Sequence, residues 1–234
     1  MDPRQACYLI LQEIRRRTDA TALWKLYPDD GPLRRELYVK HLKMFAAGTK
    51  HQERCALGGN RVGKSLGIGG YEMALHITGL YPEWWPGRVY TKPILTWACG
   101  TKATKVRDVN QHILLGKLNM KKGFTQASGG LVPGPRISRL TRKTGTSDAV
   151  DQAIITHVKG WENIVTFKSY EEGRQGFESE AVDFIWLDEE PNKSIYDECM
   201  MRLLTTKGSL LLTNTPLDGM TECILSILED TDFI

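Results

Sequence analysis

Gly58-Gly59-Asn60-Arg61-Val62-Gly63-Lys64-Ser65 fits the pattern G-x-x-x-x-G-K-[ST] without interruption. No other feature restricts the fold as much, because the pattern works only between a buried strand and the start of a helix. Its glycines let the backbone turn tightly, so that consecutive N–H groups point at phosphate oxygens. Lys64 would reach the β- and γ-phosphates, and the Ser65 hydroxyl would ligate Mg²⁺. A helix starting near Gly63 would add its positive end to the same anion. The flanks agree. Arg54-Cys55-Ala56-Leu57 is short and ends apolar, as a buried strand does. From Ser65 to Leu80, apolar residues recur at helical intervals despite the weakening glycines 67, 69 and 70. The octet implies a bound nucleoside triphosphate, ATP with Mg²⁺, held by residues 58–65.

Other elements follow in a strand–helix alternation. Ala6–Arg17 and Leu33–Ala47 read as basic helical stretches, separated by a turn around Pro28-Asp29-Asp30-Gly31-Pro32. A turn-rich segment, Tyr81–Gly87, closes the helix that begins in the phosphate loop. Ile94–Cys99 reads as a buried strand and Thr101–Leu115 as a helix. Lys122–Thr146, rich in Gly, Pro and Ser, reads as a loop or excursion. Asn163–Ser169, Phe184–Leu187 and Ser209–Thr213 are further short strands. Such alternation predicts an α/β fold, a mostly parallel sheet with helices on both faces and the ligand at the carboxyl ends of the strands. Residues 1–50 would form a helical segment packed on a core spanning 51–234.

Hydrolysis needs a second strand carrying carboxylates. Phe184-Ile185-Trp186-Leu187-Asp188-Glu189-Glu190 supplies one: Asp188 would emerge at the strand's end to hold Mg²⁺, and Glu189 would activate the attacking water as general base. Glu190 is a spare carboxylate beside them. A third apolar run, Leu210–Leu212, ends in Thr213-Asn214-Thr215-Pro216, whose polar tip could sense the γ-phosphate and pass its state on. Two arginines are candidates to stabilise charge during phosphoryl transfer: Arg61 inside the loop, and Arg174 in Glu172-Gly173-Arg174-Gln175-Gly176.

With 234 residues, 41% hydrophobic and 25% charged, the chain can bury one substantial core. The net charge of +3 is small, but its distribution is uneven. No acidic residue lies between Asp108 and Asp148, where Lys117, Lys121, Lys122, Arg136, Arg139, Arg142 and Lys143 could face a phosphate backbone. Five scattered cysteines fit no metal site and point to a reducing, intracellular setting, with Cys55 and Cys99 expected in the core. No apolar run is long enough to span a bilayer.

These residues resemble the ATPase domain of the large terminase subunit of tailed double-stranded DNA bacteriophages. The likeness runs from about Tyr38 to Thr221. It is carried by the phosphate loop with its internal arginine, Phe167–Glu171, Ile185–Pro191 and Thr213–Thr221. It implies a P-loop NTPase of the ASCE, RecA-like kind. It also implies a subunit ring docked on a portal protein, a small terminase subunit as partner, and ATP-driven movement of viral DNA into a procapsid in the host cytoplasm. Arg61, Glu189 and Thr213–Thr215 take the family's loop-arginine, catalytic-glutamate and coupling positions. Arg174 is the nearest match to an arginine acting on the neighbouring subunit, and Tyr38 and His41 fall where an adenine contact is expected. Members of that family normally continue into a nuclease domain, which is expected to be absent from this chain, so no DNA cleavage is expected of these residues, and turnover should be weak without the ring. A helicase half, a P-loop kinase and a nucleotide-binding switch are the competing readings. The Asp188–Glu189 pair favours transfer to water over transfer to an acceptor, and over mere binding.

Overall fold

The computed structural model describes residues 2–10, 23–118, 127–216, 219 and 221–229. A seven-stranded sheet forms its centre: β1 Glu53–Leu57, β2 Leu95–Gly100, β5 Ile137–Arg142, β6 Val150–Thr156, β7 Glu162–Ser169, β8 Phe184–Asp188 and β9 Ser209–Asn214. The spatial order is β1-β9-β8-β2-β7-β6-β5. β1, β9, β8, β2 and β7 pair in parallel, whereas β6 and β5 are antiparallel to their neighbours. β3 Gly116–Leu118 and β4 Ala127–Gly129 form a separate two-stranded ribbon.

The parallel strands are covered on both faces, so they read as apolar runs rather than as alternations. Pleating still sorts their side chains. Phe184, Trp186, Leu211, Ala98 and Phe167 face one core, and Ile185, Leu187, Leu210, Leu212 and Trp97 face the other. The first core is closed by α1 Val39–Ala47 and by α2, whose opening Lys64–Gly70 is π-wound and whose continuation Tyr71–Thr78 is α-helical. α3 (Ala103–Val106, a π-wound Arg107–Gln111, then His112–Leu115) covers the same face. The second core takes α4 Lys193–Leu203 and α5 Glu222–Glu229.

Most expected elements are present within a residue or two of their expected ends. Lys122–Thr146 is the main correction: its described part holds β4 and β5 rather than a loop alone. The β5–β6 pairing eluded the sequence because β5 is an edge strand, half-exposed and rich in Arg, Ser and Thr. Residues 3–10 are helical, and the rest of the expected first helix lies outside the described residues, as do Lys121 and Lys122. Cys99 is buried as expected, whereas Cys55 is half-buried.

The glycines of α2 have a packing reason. A Cβ on Gly69 would lie 2.1 Å from Trp186 Nε1, and one on Gly70 would lie 2.3 Å from Ile113 Cγ2. Glycine lowers helix propensity by ~1 kcal/mol per residue. In return the helix backbone lies directly against the sheet.

A buried polar network fixes α2 to β1. Arg54 Nη1 and Nη2 donate to the two Glu72 carboxylate oxygens at 2.9 and 2.7 Å, and Nη1 also reaches Met44 O at 2.9 Å. His76 Nε2 contacts Glu72 Oε1 at 3.1 Å, and His76 Nδ1 contacts Tyr81 Oη at 3.0 Å. Burial acts to raise Glu72, but the Arg54 charge and the His76 hydrogen bond outweigh it and hold the carboxyl below its usual value. Burial holds His76 below its usual value as well, so it is neutral, donating through Nε2 and accepting through Nδ1.

Candidate active site

The phosphate loop leaves β1 at Leu57 and enters α2 at Lys64. Gly63 stands at φ 86°, a left-handed conformation that favours glycine, and Arg61 adopts φ 62°. Gly58 N donates to Asn214 O at 3.3 Å, which ties the loop to the end of β9. Lys64 is buried. Its ammonium donates to Gly58 O at 2.8 Å, Gly59 O at 2.7 Å and Thr215 Oγ1 at 2.9 Å. All three partners are neutral, so an arriving anion can compete for the ammonium by charge.

β8 and β9 deliver the other groups. Asp188 is paired across from Thr213, and Thr213 Oγ1 lies 2.9 Å from Asp188 Oδ1. The Asp188 carboxylate is buried and also hydrogen-bonds the Ser65 side chain. Burial pushes its pKa up, and the Ser65 and Thr213 bonds pull it back. One carboxylate and one hydroxyl, side by side at the loop, suit a hard cation that keeps much of its own water and bridges to phosphates. The site therefore fits Mg²⁺, with Ser65 and Asp188 as the residues that would hold it.

Glu189 is held apart from Asp188 by its backbone. Its φ is 64°, a conformation costing on the order of 1–3 kcal/mol for a non-glycine residue. Two bonds maintain it: Glu189 N to Thr213 O at 2.8 Å, and Tyr170 Oη to Glu189 O at 2.7 Å. The side chain then accepts from Thr215 N at 3.0 Å. Glu190 goes elsewhere, accepting from the Thr221 hydroxyl. A cleft of about 580 Å³ opens beside Glu189, bordered by Glu190, Asn192, Asn214, Thr215 and Thr221. Among the described residues, Asn214 Nδ2 is buried without a hydrogen-bond partner.

Lys64, Ser65, Asp188, Glu189 and Thr213–Thr215 thus converge at the ends of three adjacent strands. Arg61 shares the loop but is exposed. Arg174 is elsewhere: its Nε pairs with Glu198 Oε2 and Glu178 Oε1, each at 3.2 Å, with the side chain 60% exposed. Glu198 also pairs with Arg202 at 2.7 Å. Lys143 of the basic segment is a tie within the fold, bonding Glu172 Oε1 at 2.7 Å and Phe167 O at 3.1 Å.

Tyr170 has no role in the sequence reading, although its place just past β7 puts it at the active end of the sheet. Tyr27 escapes it too. Its hydroxyl donates to Gly67 O at 2.6 Å and meets His41 Nδ1 at 2.6 Å, and His41 bonds the Val62 backbone. Tyr27 and His41 thereby brace the phosphate loop and the π-wound turn behind it. No local pattern announces a contact made across 40 residues.

Residues 55–230 match the family model described as terminase large subunit, T4likevirus-type, N-terminal. The chain belongs to the terminase large subunit family. It is 30% identical to the terminase large subunit of Salmonella phage P22, across 82% of this chain and 41% of that protein. Its fold is similar to that of the large terminase of a thermophilic bacteriophage, solved in several crystal forms. One of these forms gives a TM-score of 0.54 at 12% identity, covering 81% of this chain and 42% of that one. Another, in complex with ADP, gives 0.53 at 14% identity, covering 83% and 42%. The chain spans about four tenths of the length of these relatives. Its mixed α/β fold, built on a seven-stranded mostly parallel sheet, is that of these large terminases.

Proposed function

We propose that this terminase segment is an ATP-hydrolysing motor domain that drives double-stranded viral DNA into a procapsid in the host cytoplasm. Its partners would be the DNA, a portal protein, a small terminase subunit and further copies of itself in a ring. The observation that carries the reading is the triple engagement of β9's tip. Thr213 bonds Asp188, Thr215 N–H holds Glu189, and the Thr215 hydroxyl holds Lys64.

In the proposed cycle the backbone N–H groups of residues 58–65 and the Lys64 ammonium bind the phosphates. Ser65 and Asp188 would hold Mg²⁺, which would supply charge neutralisation at the phosphates. Glu189 orients a water and takes its proton as the β–γ anhydride bond breaks, releasing ADP and phosphate. Lys64 moving toward phosphate weakens its bond to Thr215, and Thr215 in turn carries Glu189, so nucleotide occupancy reaches the base through one residue. Arg61 acts in cis on the same phosphates. Arg174, on the surface and paired with carboxylates of its own chain, serves a neighbouring subunit. These residues are proposed to hydrolyse ATP and not to cut DNA.

Steady-state ATP hydrolysis by the chain, compared with Lys64→Ala and Glu189→Ala across protein concentrations and with duplex DNA, tests the reading. Both variants should lose turnover, and wild-type activity should rise more than linearly with concentration. Undiminished activity in Glu189→Ala, or phosphate appearing on an added acceptor, would overturn it.

A further inference from the structure

Apolar bulk alone would complete β8 ahead of Asp188, and Phe or Leu would supply it. Trp186 brings something more, a single N–H donor with no acceptor. The residue is wholly buried, and Nε1 donates to Thr213 Oγ1 at 2.9 Å. That donation occupies a lone pair of the hydroxyl and turns its proton toward the other neighbours. They are Asp188 Oδ1 at 2.9 Å and Leu187 O at 3.3 Å, and the carboxylate oxygen is the nearer. Pleating makes the relay possible, because Trp186 and Asp188, two residues apart, share one face of β8. Thr213, paired across from Asp188, meets both.

The other edge of the indole meets α2. A Cβ at position 69 would fall 2.1 Å from Nε1, 2.4 Å from Cε2 and 2.7 Å from Cδ1. α2 begins with Lys64 and Ser65. One ring therefore spaces the helix that carries Ser65 from the strand that carries Asp188, and sets the hydroxyl that donates to Asp188.

We propose that Trp186 is a positioning residue for the metal-facing carboxylate, acting through Thr213 on Asp188 and through Gly69 on the approach of Ser65. The proposal rests on the reading of Ser65 and Asp188 as Mg²⁺ ligands. Outer partners of a metal ligand set its orientation, and losing one weakens metal binding about 10- to 100-fold.

The test is ADP binding by titration calorimetry, in EDTA and over a Mg²⁺ series, with thermal melting as a check on folding. Trp186→Phe should leave affinity in EDTA unchanged and raise the Mg²⁺ concentration for half-maximal enhancement about tenfold. Thr213→Val, close to threonine in shape, should shift the Mg²⁺ requirement likewise even if Trp186→Phe folds poorly. The double variant should be no worse than either single change, because both cut one relay. A lower melting temperature with an unshifted Mg²⁺ requirement would reduce Trp186 to packing and overturn the proposal. So would single effects that multiply in the double variant. If wild-type binding does not respond to Mg²⁺ at all, the metal reading of Ser65 and Asp188 falls as well.

Discussion

Gly69→Ala separates the intrinsic preference of α2 from its packing, because the two predict opposite signs. Helix propensity alone favours alanine by ~1 kcal/mol. The structure opposes it: the new methyl would sit 2.1, 2.4 and 2.7 Å from three atoms of the Trp186 indole. That ring is wholly buried between α2 and the sheet and is anchored through Thr213, so it cannot swing aside freely. Overpacking of this kind costs about 1–3 kcal/mol. If the ring is forced to move, its N–H loses Thr213, which adds about 1–3 kcal/mol for a buried donor without a partner. After the propensity gain, the net destabilisation is roughly 1–5 kcal/mol. For a chain of this size each kcal/mol shifts the melting temperature by about 2–4 °C, so a fall of about 2–20 °C is expected in a thermal melt. Chemical denaturation should give the same ranking with an unchanged m-value. A Gly69→Ala protein as stable as wild type, or more stable, would refute the contact between α2 and Trp186 and the positioning argument built on it.

Stability should fall on the acid side. His76 is held below the ordinary histidine value of 6.5 and Glu72 below its usual value, so both bind protons more readily in the unfolded chain. Their contribution is complete above about pH 6.5 and is lost as pH falls. His76→Gln should flatten the upper part of that decline, and a melting temperature independent of pH between about 5 and 8 would refute the neutral-histidine assignment. Thr215→Val keeps the backbone N–H that holds Glu189 but removes the hydroxyl that holds Lys64. We expect kcat to drop about tenfold, with ADP affinity changed far less, since a hydrogen bond to a charged group contributes about 1.5–3 kcal/mol; a change confined to KM would reject the link. Mixing Arg174→Ala with Glu189→Ala subunits should restore turnover if Arg174 serves its neighbour. The same mixture with Arg61→Ala should stay inactive, and restoration there would show that Arg61 does not act in cis.

The parts of the site that were legible in the sequence are those whose chemistry demands fixed residue types at fixed spacing. The phosphate loop and the Asp188–Glu189 pair are of this kind. β8 and β9 were legible for a second reason, that strands buried on both faces leave unbroken apolar runs. β6 was harder to see, because Asp151 and Gln152 interrupt it and its residues alternate only loosely between buried and half-buried. Glycines 67, 69 and 70 looked like defects in a helix, and their value becomes visible only beside Trp186, Ile113 and Tyr27. Lys143 shows the reverse error. Counted with its neighbours it suggested a surface for DNA, but Glu172 lies 29 positions on and claims its charge.

The sheet order explains why the coupling segment has the composition it does. β9 lies between β1 and β8, so the phosphate loop and the carboxylates are not on neighbouring strands. Whatever passes between Lys64 and Glu189 along the sheet must cross the end of β9. Alternation turns Thr213 and Asn214 to opposite faces of β9, and Thr215 follows directly after the strand; Asn214 carries a buried amide nitrogen that no described residue satisfies. The two threonines each offer a hydroxyl that can accept from one group and donate to another, as Thr213 does between Trp186 and Asp188. Valine would pack as well in either place and transmit nothing. The polar tip of an otherwise apolar strand is therefore a requirement of the topology: the strand that separates two halves of a catalytic site must also join them.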